Sequence, residues 1–162
     1  MTFLRYFYIL ALVLWLGGMV VAGGVVAPSI FSVLEAWNAV DGRGLAGRVF
    51  GEVLQRLYFL GYAMAGVMFV ALTLHRLLGA RPIRYGVRAT ILALMLAATL
   101  VADYHVGPRV AAIQALVSGP MSALPADDPT RVEFNRLHGL ANVLLSLTVV
   151  GGLALLFWEA RE

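Results

Sequence analysis

Between Arg5 and Glu35 the chain runs for 29 residues without a formal charge. A helix needs only about 20 residues to cross some 30 Å of hydrocarbon at 1.5 Å per residue. No water-soluble packing hides so long an uncharged stretch, so the chain is read as a membrane protein. The rest of the composition agrees: 61% of the 162 residues are hydrophobic, 13% are charged and the mean hydropathy is +0.87, whereas soluble domains carry about 25% charged residues. There is no Cys and no Lys. That excludes a disulfide framework, a thiolate metal site, a catalytic thiol, a Schiff-base lysine and a P-loop. A net charge of +3, carried by scattered arginines, gives no nucleic-acid surface.

Four spans are expected, at about 6–27, 57–75, 87–109 and 137–158 in a single domain covering 1–162. The first is too long for a signal-peptide core and is read as a permanent helix. The third is the least lipid-like, because only 14 uncharged residues separate Arg88 from Asp103; its helix must continue through Asp103, His105 and Arg109. The connection between spans two and three holds Arg76, Arg81, Arg84 and Arg88 with no acidic residue. Arginine-rich short connections stay on the cytoplasmic side, so both termini are expected there, in a bacterial inner membrane.

From Leu45 onward Val49, Phe50, Val53, Leu54 and Leu57 share one face, and Arg48, Glu52 and Arg56 repeat on another. This pattern predicts an amphipathic helix lying along the outer membrane surface, begun by Gly42 and Gly44. Before span four, Ser118, Gly119, Pro120, Pro125 and Pro129 form a loop. Either Asp128 ahead of Pro129, or Thr130 with Glu133, supplies the N-cap of span four. No internal repeat is evident. Gly18 with Ala22, Gly61 with Ala65 and Ala93 with Ala97 suit helix packing. Met19, Met64, Met68 and Met95 read as core filling rather than as a copper path.

Ionisable groups at membrane depth are costly and usually face the bundle interior. Arg131, Asn135, His138, Asn142 and Ser146 form one stripe on span four. On span three His105 and Arg109 share a face, while Asp103 lies about 200° away from His105. The topology gathers Asp103, His105, Arg109, Glu133, Arg136, His138, Arg56 and Tyr58 at the outer ends of the spans, with Asn135 and Asn142 beside them. His138 and His105 could ligate a haem b iron from two helices. The same residues would suit a proton or anion path. No metal motif of the HExxH kind and no nucleophile–base–orienter order is present.

The ordered elements Leu14-Trp15-Leu16-Gly17-Gly18, Ala27-Pro28 with Phe31, Arg56-Leu57-Tyr58, Gly107-Pro108-Arg109 and Arg136-Leu137-His138 resemble the transmembrane protein 205-like family. This is a group of small four-helix membrane proteins, mostly of unknown function and distantly similar to the copper-resistance protein CopD. The resemblance implies a fold and hints at metal handling. It marks Pro28, Arg56, Tyr58, Gly107, Pro108, Arg109, Arg136 and His138 as characteristic positions.

The reading is an all-α, four-span membrane bundle with an interfacial helix between spans one and two. Its expected role is non-catalytic: an accessory subunit in contact with lipid and with other membrane subunits. A haem- or metal-handling protein and a small transporter are the alternatives.

Overall fold

The computed structural model describes residues 2–78, 84–117 and 120–161. Arg81, Ser118 and Gly119, which entered the orientation and loop arguments, lie outside these residues. Helix α1 covers Thr2–Val21 and α2 covers Ala27–Trp37, joined by a π turn at Ala22–Val26. After α3 (Gly42–Leu78), α4 (Tyr85–Val101) continues through a second π turn, Ala102–Val106, into α5 (Gly107–Leu116). A short 3₁₀ turn, Met121–Ala123, precedes α6 (Pro129–Glu159). Four continuous helical rods result, each long and apolar enough to cross a membrane. This is an integral membrane, all-α bundle.

Both π turns have the same cause. Pro28 and Pro108 sit inside long helices, where a proline ring clashes with the carbonyl one turn back and offers no N–H. One wide turn ahead of each proline absorbs the misfit and lets the rod continue. The α2–α3 turn is made by Asn38. Its side-chain oxygen accepts from the Val40 and Asp41 N–H groups, and its carbonyl accepts from Gly42. Gly42 is required there, since a Cβ would stand 2.1 Å from the Leu34 carbonyl oxygen. At α6 the first of the two possible caps is used: Asp128 accepts from the N–H groups of Thr130 and Arg131, with Pro129 in the first turn.

The core lies between the rods. Leu12, Trp15 and Met19 of α1 meet Ala65 and Met68 of α3, Leu92 and Met95 of α4, and Leu155 of α6. Gly61 accepts the indole of Trp15, whose Nε1 would be 2.8 Å from an added Cβ. The four methionines fill space in and around this core. Val13, Leu14, Val70, Leu94, Leu147 and Val150 face outward. In water such a surface would aggregate; in a bilayer it is solvated by lipid.

Three expectations need correction. Residues 45–57 form no separate surface helix, because α3 is unbroken for 37 residues, about 55 Å at 1.5 Å per residue. Its amphipathic part therefore stands off the far end of the span, alongside α2, rather than lying flat. Ala93 and Ala97 are exposed; Ala98 of the same helix takes the packing role. The chain also carries an internal repeat. Residues 12–28 and 92–108 share Leu12/Leu92, Leu14/Leu94, Leu16/Leu96, Val21/Val101, Ala22/Ala102, Val26/Val106 and Pro28/Pro108, each pair 80 apart. The two π turns are offset by the same 80 residues, and so are Arg56-Leu57 and Arg136-Leu137. Burial repeats as well, at Leu12/Leu92, Trp15/Met95, Met19/Thr99 and Ala22/Ala102. The paired π turns, each just ahead of a proline, fix the register. Each half supplies two rods, so both halves cross in the same direction. Such parallel repeats are related by an axis along the membrane normal.

Candidate functional site

Polar groups collect at the two ends of the bundle. At the end that holds both termini, Glu159 of α6 is enclosed between two arginines. Arg5 Nε lies 2.5 Å from its Oε1, and Arg5 Nη2 donates to its carbonyl at 2.8 Å. The Arg88 guanidinium donates to Oε2 and lies 4.7 Å above the Tyr8 ring. Arg88 and Glu159 are 2% and 3% exposed. With Leu4, Tyr8 and His75 they line a cavity of about 10 Å³, room for one water. Arg76 over Tyr85 and Arg84 over Trp158 surround this cluster with further cation–π contacts. The sequence argument used Glu159 and Arg88 only as span boundaries and missed their pairing. The available signal was that Arg5, Arg88 and Glu159 all fall at the same end of their spans.

At the far end the expected cluster divides in two. Asp103 turns inward: Tyr62 donates to its Oδ2 at 2.8 Å, and Tyr62 and Tyr104 stack at 6.5 Å. Tyr58, one turn from Tyr62, is half-buried near the same carboxylate. Tyr62 escaped the sequence argument, although its spacing from Tyr58 put it on the same face. Helix geometry placed Asp103 and His105 on opposite faces, and tertiary packing selects the Asp103 face.

The second part is exposed. Glu133 bridges Arg109 at 3.2 Å and Arg136 at 3.8 Å, tying α5 to α6. His105 is exposed, with Arg109 Nη1 3.5 Å from its Nε2, and His138 is exposed and stacked on Phe134 at 6.0 Å. Arg56 is exposed and makes no ion pair among the described residues. The stripe Asn135, His138, Asn142 and Ser146 is exposed too. This stripe thus departs from the inward rule, because Leu137, Thr148, Gly152 and Leu155 form the packed face of α6. Among the described residues no group of three or more His, Asp or Glu could hold a metal ion.

Beside this stripe, between α1 and α6, runs a groove of about 320 Å³ lined by Met19, Val20, Gly23, Gly24, Leu145, Ser146, Val149 and Val150. By the 80-residue offset it corresponds to the α3–α4 contact. There, Tyr62, Asp103 and Tyr104 occupy the positions of Asn142, Gly23 and Gly24. One interface is filled by side chains and its counterpart is left open.

Over residues 10–117 the sequence matches DUF4149, a domain of unknown function. The chain belongs to the DUF4149 family. The match runs from within the first rod to the end of the third, includes both π turns, and stops short of α6. No curated protein and no solved structure matches.

Proposed function

We propose that this DUF4149 protein is a non-catalytic accessory subunit of a larger membrane assembly, docking through the exposed face of α6. The observation that carries this reading is the outward placement of Asn142 and Ser146 at membrane depth. An amide or hydroxyl left facing hydrocarbon costs free energy that a hydrogen-bonding neighbour recovers. The most apolar window of α6 is also the least covered, 17% buried against 33% for each other rod. Arginine balance favours an inner-membrane position with both termini cytoplasmic. The likeness to transmembrane protein 205-like proteins and CopD would imply metal handling, but that reading has no comparable observation behind it.

The test is extraction in mild detergent with a tag on this chain, followed by a native gel. A larger species containing other polypeptides is expected, and Asn142→Leu should release them. Wild-type protein that co-migrates with nothing else would sink the proposal.

A further inference from the structure

We infer that the exposed face of α6 is a self-association seam, so that two copies of this chain pair in parallel along Asn135, Gly139, Asn142, Ser146, Val149 and Leu153. The inference rests on one part of the reading above, that the exposed face of α6 is a docking surface, and makes a second copy of this chain its occupant.

These six positions alternate steps of four and three residues, so that every second one lies seven apart, a heptad spacing of about 3.5 residues per step. That is the period of the seam in a left-handed helix pair. Five of the six are exposed and Val149 is half-buried. Gly139 and Ser146 lie seven apart and let two backbones approach closely; a Cβ added at Gly139 would meet nothing within 4 Å. Asn135 and Asn142 also lie seven apart. Each amide carries both donors and an acceptor, so Asn opposite Asn across a two-fold satisfies both. A single Asn at such a position fixes register and partner number. Copies inserted alike share one orientation, and an axis along the bilayer normal brings each seam residue against its own copy.

The internal repeat supplies an independent observation. Tyr62, the counterpart of Asn142, donates to Asp103 within the chain. The counterpart of Asp103 is Gly23, which has no side chain to offer, and no hydrogen bond reaches the Asn142 side chain among the described residues. Whatever pairs with Asn142 enters from outside, and the open groove beside Gly23 and Gly24 leaves room for it. No charged residue lies on the seam.

Because the chain has no Cys, single cysteines report proximity without background. Gly139→Cys and the near-isosteric Ser146→Cys, oxidised in native membranes, should migrate mostly as disulfide-linked dimers. Val70→Cys and Leu94→Cys, lipid-facing on α3 and α4, should stay monomeric. Adding Asn142→Leu to Ser146→Cys should lower cross-linking about tenfold, the size of one interhelical polar contact in lipid. Monomeric seam cysteines, or equal cross-linking at Val70 and Leu94, would overturn the inference. If the seam cysteines stay monomeric while Asn142→Leu still releases another polypeptide, self-pairing fails and the accessory reading stands. If they cross-link and nothing else accompanies the dimer, self-pairing stands and the accessory reading fails.

Discussion

Glu159 and Glu133 sit near opposite ends of the same helix, and each faces two arginines from different turns or helices. Glu159 is sealed between Arg5 and Arg88, its side chain 4% exposed, whereas Glu133 meets Arg109 and Arg136 with its side chain 33% exposed. Two similar ion triads thus have different energetics. A buried charge has surrendered its hydration and depends wholly on its partners; a wet one keeps water as a substitute. The first constrains how α1, α4 and α6 meet, while the second latches α5 to α6 at modest gain.

The largest effect expected is therefore at Glu159. Glu159→Gln, which leaves Arg88 buried without its counter-charge, should destabilise the protein by about 3–5 kcal/mol, read as a large drop in detergent Tm. Replacing the triad as a set, with Arg5→Met, Arg88→Met and Glu159→Leu, should recover most of that loss. If Glu159→Gln alone is neutral, the contrast between the two ends collapses.

Gly61→Ala comes next, because its Cβ would stand 2.8 Å from Trp15 Nε1. Overpacking of this kind costs about 1–3 kcal/mol, and Trp15 fluorescence should change with it. A Tm and an emission spectrum identical to wild type would show that the α1–α3 contact yields freely.

At the exposed triad, Glu133→Gln should cost less than about 1 kcal/mol and the cost should shrink as salt is raised. A large, salt-independent loss there would make the two glutamates equivalent. The smallest effect concerns Asp128, whose carboxyl is held below its ordinary value of 3.8 by the N–H donors of Thr130 and, more weakly, Arg131. A depressed carboxylate pKa contributes stability above the unfolded value and loses it as pH falls through the folded one. Asp128→Ala should thus lower Tm slightly at neutral pH and leave it unchanged at acid pH, where wild type has also lost its charge. A difference that persists in acid would assign the cap to something other than the carboxylate.

Much of the architecture was legible from residue order because lipid imposes it. Runs such as 6–34 must be helical, since hydrocarbon leaves no other way to satisfy a spanning backbone. Asp128-Pro129 and Gly42 mark helix starts through local chemistry alone. Residue spacing likewise separates the Asp103 face from the His105 face. Spacing is silent on which face a neighbour covers, and there the inward rule misled: the Asn135–Ser146 stripe is exposed, while Glu159, used only as a boundary, is buried. The repeat was hidden because its matches are apolar residues among apolar residues.

By itself, then, the sequence determined the number of rods, their helicity, their caps and the prolines that force two wide turns, all consequences of interactions within a few residues or with the solvent. Only the tertiary structure decided that Arg5, Arg88 and Glu159 converge, that Asp103 meets Tyr62, and that the equivalent place beside Gly23 is left open. Those outcomes depend on how rods rotate about their own axes against one another, a choice made by side chains far apart in the chain.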